Sequence, residues 1–180
     1  SEHYDDQVFH TVIKEHNPVI VIGPGISANN QDHTQLINDV LSKDVIKVNT
    51  MLTMNTLEWI ARNPIKRLLF ASSSENYAGT SDLYSIVIPT AEDVPLCISD
   101  IKHSRWTYAI TKMHGESAFF HSAKAYNYEC TIVRYQNIIG PEMGFGHAIP
   151  HIVERFTKGN NSPFLIYGHD QTRAFCFIDD

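Results

Sequence analysis

The sequence predicts an α/β fold in which helices cover both faces of a parallel sheet. Apolar runs typical of buried strands occur at residues 19–22, 66–71, 131–135 and 164–167. Segments with apolar residues at helical spacing separate these runs, at residues 8–13, 45–62, 104–126 and 148–158. Strands that alternate with helices of this length indicate βαβ units, whose strands are parallel.

Each element has its own local signal. The run at 19–22 is apolar throughout, and the strand at 66–71 is apolar from Leu68 to Ala71, as expected for strands that are covered on both faces. The first helix ends at Asn17-Pro18, because proline cannot continue a helix. The segment 45–62 carries apolar side chains at 45, 48, 52, 59 and 60, which predicts a long and largely buried helix. A loop rich in glycine and proline follows the strand at 131–135.

Composition and charge favour a small-molecule ligand. The formal net charge is -6 and no run of lysine or arginine occurs, so we expect neither nucleic acid nor an anionic membrane surface as a partner. No apolar segment approaches the roughly 20 residues of a membrane span. The first six residues, SEHYDD, lack the character of a signal peptide, and we therefore expect the cytoplasm.

Cysteines and histidines do not indicate a metal or a disulfide framework. The three cysteines, Cys97, Cys130 and Cys176, are widely spaced and form no CxxC pair. The ten histidines are scattered, and none falls in an HExxH arrangement. We predict reduced cysteines and no metal.

The length of 180 residues predicts one domain, spanning residues 1–180, and its ends resemble cut ends. The chain opens directly on a helix and closes on Asp179 and Asp180, either of which is a suitable cap for a helix that follows. We therefore expect a fragment of a longer domain.

A tyrosine and a lysine stand four residues apart in the segment 104–126. This spacing places Tyr108 and Lys112 side by side on one helical face. The ammonium charge is expected to lower the phenol pKa and so to make Tyr108 a usable general base near neutral pH. Taken alone, the motif is also typical of a solvated pair that has no function.

The strand at 66–71 runs directly into SSSENY at residues 72–77. Its hydroxyl groups are therefore expected at the carboxyl end of a parallel strand, the edge where open α/β sheets bind ligands. Together with Tyr108 and Lys112, this placement favours a catalytic site over a chance pair.

The chain resembles the extended short-chain dehydrogenase/reductase family, in particular its nucleotide-sugar epimerases, dehydratases and decarboxylases. The resemblance covers nearly all of residues 19–180. It is carried by Val48-Asn49, SSSENYAG at 72–79, Tyr108 with Lys112, RYQNIIGP at 134–141, and YGHDQTRAF at 167–175. It implies a partial Rossmann-like, doubly wound parallel sheet with flanking helices.

The resemblance also implies a reaction and roles for residues. Tyr108 would take the proton of the sugar C4 hydroxyl while hydride passes to NAD, with Lys112 as its electrostatic partner. Ser73 would hydrogen-bond the same oxygen, so that a 4-keto sugar forms. The further positions that the resemblance assigns are Tyr135 near the nicotinamide, Asn137 and Ser74 near the substrate, and Arg173 near the diphosphate or the sugar acid.

The fate of the 4-keto sugar distinguishes the branches of the family. Glu75 stands where the resemblance to UDP-glucuronate decarboxylases predicts a glutamate, and Trp106 also resembles those enzymes, so a decarboxylase-like activity is our first expectation. A 4-epimerase is the alternative. Dehydration is disfavoured, because Ser74 replaces the aspartate that 4,6-dehydratases carry before the glutamate. Glu75 as a solvated loop carboxylate and Trp106 as a core residue remain open.

The segment VIVIGPGISANN fits a GxGxxA dinucleotide fingerprint through Gly23, Gly25 and Ala28. Gly23 lies only 85 residues before Tyr108, a separation that in the family suits the fourth strand and the loop after it. We therefore interpret the glycines as a coincidence and the loop as a wall of the active site, with Gly23 and Ser27 beside the ligands.

The family's GxxGxxG unit and its C-terminal substrate-binding part have no counterpart in these 180 residues. We expect the chain alone to bind NAD weakly or not at all and to be inactive, and the intact protein to be an enzyme. A hypothesis of another class is a non-catalytic module for binding or association. The resemblance further implies a homodimer, through a bundle of the helices near 45–62 and 104–126.

Overall fold

The structure is a computed structural model, which describes residues 19–22, 35–144, 147–158, 165, 169–170 and 172–180. Its contacts divide the chain into two compact units, whose described residues run up to Arg134 in the first and from Tyr135 to Asp180 in the second. The prediction of a single domain that forms part of a longer one stays a prediction.

The first unit has a parallel sheet with long helices packed on it. Its elements are β1 (Val19–Ile22), α1 (Gln35–Arg62), β2 (Arg67–Ser73), α2 (Ala78–Leu83), α3 (Trp106–Tyr126) and β3 (Glu129–Tyr135). The strands lie in the order β1-β2-β3, and β1 pairs with β2 in parallel, with Val19 opposite Arg67. β2 is therefore the central strand, which explains its apolar residues from Leu68 to Ala71.

The core of the first unit lies where β2 meets α3 and the end of α1. Leu68, Phe70 and Phe119 are buried there together with Ile60, and the rings of Phe70 and Phe119 lie 5.0 Å apart at an angle of 54°. A tilted aromatic pair of this kind contributes about 1 kcal/mol beyond the area that it buries. The contact fixes α3 against the sheet.

A glycine lets α3 approach β2 closely. A Cβ atom at Gly115 would lie 2.5 Å from Cζ of Phe70, closer than real Cβ contacts allow. α3 ends at Tyr126. The next residue, Asn127, has a φ of 57°, the left-handed conformation typical of a residue just past a helix end. The chain returns from there into β3, the neighbour of β2.

One stripe of α1 packs against α3. Its buried residues, Val45, Asn49 and Thr53, recur at helical spacing, and Asn49 Nδ2 donates to Thr111 Oγ1 of α3 at 3.0 Å. Other apolar side chains of α1, among them Val48, Met51 and Leu52, are exposed. Within the described part of the chain, no helix has the length and apolar character needed to cross a bilayer.

Among its described residues, the second unit contains a two-stranded sheet and one helix. β4 (Asn137–Ile139) pairs in parallel with β5 (Phe175–Phe177), and α4 (Ala148–Lys158) lies between them in the sequence. The backbone N–H of Ile178 donates to the carbonyl of Ile139 at 2.9 Å and extends this pairing.

Four predicted elements had wrong boundaries. The strand predicted at 66–71 spans Arg67–Ser73. The helix predicted at 45–62 begins at Gln35, since the apolar residues at 36, 37, 40 and 41 continue its pattern upstream. The strand predicted at 131–135 begins at Glu129, and the helix predicted from 104 begins at Trp106.

The strands β4 and β5 were not predicted. Three residues carry too little of a period-two pattern to be recognised. The predicted helix at 8–13 lies outside the described residues. So does the predicted strand at 164–167, apart from Leu165.

We predict that Gly115→Ala destabilises the protein. The added methyl must displace the buried Phe70 ring, which costs about 1–3 kcal/mol and outweighs the gain of about 1 kcal/mol in helix propensity. Urea unfolding measures the difference in the free energy of unfolding. Gly144→Ala is the control, because a Cβ there meets nothing within 4 Å. Equal stabilities of the two variants would contradict the close packing of α3 on β2.

Candidate active site

The carboxyl end of β2 forms one side of the site. Ser72 and Ser73 finish the strand, and residues 74–77 continue as a short 3-10 helix. Ser73 caps this turn, because its Oγ accepts a hydrogen bond from the backbone N–H of Glu75 at 3.2 Å. The predicted placement of the serine hydroxyls at a strand end is confirmed.

α3 supplies the other side of the site. Tyr108 lies near Ser73, whose hydroxyl lowers the pKa of the phenol by hydrogen bonding. Lys112, one turn further along, is 3% exposed and donates from Nζ to the carbonyl of Ala71 at 2.8 Å. Its ammonium lies 5.6 Å from the centroid of the Tyr108 ring. The structure therefore brings Ser73, Tyr108 and Lys112 together.

The pKa of Tyr108 is raised above its ordinary value of 10.0, so the expected lowering was wrong for this chain. Burial is the largest cause, since it disfavours the charged phenolate. The hydrogen bond from Ser73 lowers the pKa, and the nearby charge of Glu75 raises it slightly further. Lys112 does not reverse the balance, because its ammonium faces the ring of Tyr108 and binds Ala71.

Burial also lowers the pKa of Lys112, to about 8. An ammonium that is removed from water loses hydration, and a single carbonyl partner does not replace it. Lys112 is therefore mostly charged at neutral pH and loses its charge only as the pH rises through about 8.

A buried carboxylate lies one turn beyond Lys112 on the same helix. Glu116 is 8% exposed, and its Oε1 accepts from Ser72 Oγ at 2.5 Å and from Asn76 Nδ2 at 2.8 Å. Arg134 of β3 donates to both carboxylate oxygens, from Nε to Oε1 at 2.9 Å and from Nη2 to Oε2 at 2.7 Å. We call Ser72, Asn76, Glu116 and Arg134 the carboxylate cluster.

The pKa of Glu116 lies below its usual value of 4.5. Burial by itself raises the pKa, but the hydrogen bonds from Arg134, Ser72 and Asn76 and the charge of Arg134 together outweigh it. The pKa of Arg134 is raised, chiefly by its hydrogen bonds to Glu116. Arg134 also donates to the Tyr77 hydroxyl at 2.7 Å. Both members of the pair are thus charged at neutral pH.

Other predicted site residues of the first unit differ in exposure. Ser74 is half-buried, whereas Glu75 is exposed, although its charge acts on Tyr108. Trp106 is 3% exposed and is therefore a packing residue, with the Arg105 guanidinium 4.9 Å from its ring centroid.

Three predicted site residues, Tyr135, Asn137 and Arg173, belong to the second unit. All three are exposed. Asn137 Nδ2 donates to the carbonyl of Ala174 at 3.0 Å, and an Arg173 N–H donates to the carbonyl of Thr172 at 3.3 Å. Gly23 and Ser27, the predicted wall of the site, lie outside the described residues.

Sequence reasoning missed the carboxylate cluster. Arg134 was noted only as part of a motif, and Ser72, Asn76 and Glu116 were given no role. A signal was present, because Tyr108, Lys112 and Glu116 follow one another at intervals of four on a single helical face.

The described residues suit an organic cofactor better than a metal. In the described part of the chain, no group of three or more His, Cys, Asp or Glu side chains is placed to hold a metal ion. His147 and His151 form an HxxxH pair at the start of α4, without a third ligand among those residues. The phenol, hydroxyl and ammonium groups at the end of β2 fit a nicotinamide cofactor, which is bound through its ribose hydroxyls.

Residues 5–180 match the sequence model of the NAD dependent epimerase/dehydratase family. GDP-mannose 3,5-epimerase 1 of Oryza sativa subsp. indica is 31% identical over 137 residues, which cover 73% of this chain and 35% of that protein. A putative UDP-glucose 4-epimerase of Methanocaldococcus jannaschii is 26% identical over 136 residues, or 74% of this chain and 41% of that protein.

The solved structure of UDP-glucuronic acid 4-epimerase from Bacillus cereus in complex with NAD superposes with a TM-score of 0.69. It is 20% identical, and the match covers 94% of this chain and 48% of that one. At this identity the likeness shows the fold, and it confirms the predicted Rossmann-like α/β class. The chain thus spans between about a third and a half of the proteins that it matches.

We predict that Glu116→Gln lowers stability in a pH-dependent manner. Because folding lowers the pKa of Glu116, its stabilising charge is complete above about pH 4.5 and is lost as the pH falls through the lower folded-state pKa. Breaking a buried ion pair costs about 3 kcal/mol, so the variant should be weaker than wild type by roughly that amount at pH 7, and by less near pH 3. Unfolding free energies at several pH values measure the difference.

The matched control is Glu129→Gln, which breaks the exposed Arg67–Glu129 pair. Exposed pairs contribute at most about 1 kcal/mol, so little change is expected at any pH. A constant difference between wild type and Glu116→Gln from pH 3 to pH 7 would be inconsistent with a charged, buried Glu116.

Proposed function

We propose that this chain, which belongs to the NAD-dependent epimerase/dehydratase family, forms the catalytic part of an enzyme that oxidises nucleotide-linked sugars at C4 and passes through a 4-keto intermediate. The observation that carries the proposal is the joint placement of Ser73, Tyr108 and Lys112 at the carboxyl end of β2. A non-catalytic binding module, the hypothesis of another class, has no physical need for this trio.

In the proposed reaction, Tyr108 accepts the proton of the C4 hydroxyl. Ser73 hydrogen-bonds both Tyr108 and the sugar oxygen, so that it aligns the two groups between which the proton moves. The ammonium of Lys112 favours the tyrosinate, and it carries that charge below about pH 8. When bound, NAD supplies the hydride acceptor, and its oxidised nicotinamide has a positive charge that also favours tyrosinate.

We assign Tyr108 and Lys112 to the cofactor, and the family resemblance adds Tyr135. Burial raises the pKa of Tyr108 and keeps the phenol protonated. Tyr108 therefore needs the positive charges of the Lys112 ammonium and of the oxidised nicotinamide before it acts as a base. The same phenol is a suitable acid for returning the proton to the sugar oxygen at the end of the cycle.

We propose epimerisation as the outcome of the reaction. A 4-keto sugar has lost its configuration at C4, and return of hydride to the opposite face inverts that centre. Two of the proteins compared above are named 4-epimerases and the third is named a 3,5-epimerase, which supports epimerisation over the decarboxylation that the sequence motifs favoured. Asn137 and Ser74 are the residues that we assign to the sugar, and Arg173 to the diphosphate or to a sugar acid.

Decarboxylation of a uronate is the second candidate, and Glu75 favours it. The charge of this exposed carboxylate acts on Tyr108, and a β-keto acid that loses carbon dioxide needs a proton donor. Incubation of the full-length protein with UDP-glucuronate and NAD separates the candidates. A C4-inverted uronate supports the epimerase, whereas carbon dioxide and a UDP-pentose would reject it in favour of the decarboxylase.

The proposed assembly is a cytoplasmic homodimer through α1 and α3. α1 carries an exposed apolar stripe of Val48, Met51 and Leu52, and α3 exposes Phe120. Apolar helix surface of this kind is typical of helix association. Sedimentation of wild type against Met51→Lys tests the assembly, and a wild-type protein that stays monomeric at micromolar concentration would refute it.

We predict that Tyr108→Phe abolishes turnover without loss of the fold. General acid-base groups contribute about 10²–10⁴-fold to the rate, and kcat should fall by that range because the proton acceptor is absent. Production of the 4-epimer measures turnover, and circular dichroism checks the fold. Tyr126→Phe, at the exposed end of the same helix, is the control and should keep wild-type kcat. Full activity of Tyr108→Phe would reject the assigned role.

A further inference from the structure

The carboxylate cluster encloses the segment that carries Ser73. Ser72 precedes Ser73 directly, and Asn76 follows Glu75. Both side chains donate to the same atom, Glu116 Oε1, and Asn76 Nδ2 also lies 3.1 Å from Ser72 Oγ. Residues 73–75 are therefore held at both ends by one carboxylate oxygen.

The carboxylate itself is held in place from β3. Arg134 binds it in the two-pronged geometry that suits a guanidinium, and donates further to the Tyr77 hydroxyl and to the carbonyl of Glu92 at 3.0 Å. Asn76 has no exposed surface and Ser72 is 3% exposed. A charged pair that has this many partners, and whose carboxylate is buried, has little freedom to rotate.

Glu116 also stands on the helix that carries the phenol. Three successive turns of α3 each bind the end of β2: Tyr108 binds Ser73, Lys112 binds the carbonyl of Ala71, and Glu116 binds Ser72. Residues eight apart on a helix lie about 12 Å apart along its axis, so Glu116 is too distant to touch the reacting atoms. Any effect on the reaction must pass through the residues that it holds.

We propose that Glu116 is a positioning residue, which keeps the Ser73 hydroxyl in register with Tyr108 by fixing both ends of the segment 73–75. The proposal rests on the proposed function, in which Ser73 and Tyr108 act on the sugar hydroxyl. Arg134 supports the same register by orienting the carboxylate from the neighbouring strand.

A merely structural ion pair would behave differently. Its loss would lower stability but leave the Ser73–Tyr108 hydrogen bond intact in molecules that remain folded. Loss of positioning would weaken that hydrogen bond. Since the hydrogen bond lowers the pKa of Tyr108, the tyrosine would then titrate at higher pH.

The test compares Glu116→Gln and Ser72→Ala with wild type, with Ser73→Ala as the reference for complete loss of the hydrogen bond. Titration of Tyr108 is followed by NMR of the full-length protein with ring-labelled tyrosine, and Tyr108→Phe assigns the signal. We expect the titration of both variants to move towards that of Ser73→Ala. For Glu116→Gln, we expect kcat to fall by at least about tenfold with little change in the KM of the nucleotide sugar, as for a displaced catalytic group.

Glu129→Gln is the matched control, because it removes an exposed carboxylate and should leave the titration, kcat and KM unchanged. If Glu116→Gln does not fold, Ser72→Ala decides, since it keeps the Glu116–Arg134 pair. A wild-type titration of Tyr108 in the folded variants, together with a wild-type kcat, would overturn the positioning role. Undiminished turnover of Ser73→Ala would instead refute the proposed function. In that case the titration of Tyr108 would still test the positioning role of Glu116.

Discussion

The interaction on which the rest of the site depends is the buried ion pair of Glu116 and Arg134. A carboxylate in the protein interior is stable only if hydrogen bonds and an opposite charge replace its hydration. Here the replacements come from β2, from the turn after β2 and from β3, while the carboxylate stands on α3. The Glu116 carboxylate is therefore stable only when β2, the turn after it, β3 and α3 adopt one arrangement.

Burial serves both packing and chemistry in this arrangement. The close approach of α3 to β2, which Gly115 permits, buries Lys112 and partly buries Tyr108. The same desolvation raises the pKa of Tyr108 and lowers that of Lys112 to about 8. The two pKa values, ordinarily 10.0 and 10.5, thus move apart, so that the phenol holds its proton more tightly while the ammonium gives up its proton more easily.

Local patterns were sufficient for the framework and for the trio of candidate catalytic residues. The apolar run of β2 and the YxxxK spacing are properties of neighbouring residues, so they can be recognised from the sequence, and the strand end does carry Ser73 beside Tyr108. The strands β4 and β5 were not recognised, because each is three residues long and pairs with a partner distant in the sequence.

The sequence by itself determined the alternation of strands and helices, the family, and the place of Ser73, Tyr108 and Lys112 on a strand end and a helix face. Only the tertiary structure decided their ionisation, because a pKa depends on burial and on partners from other elements. It also decided that Glu116 meets Arg134, since these residues are 18 positions apart and no local periodicity links a helix face to the following strand. Long-range pairing of charges follows from packing, which a sequence pattern does not contain.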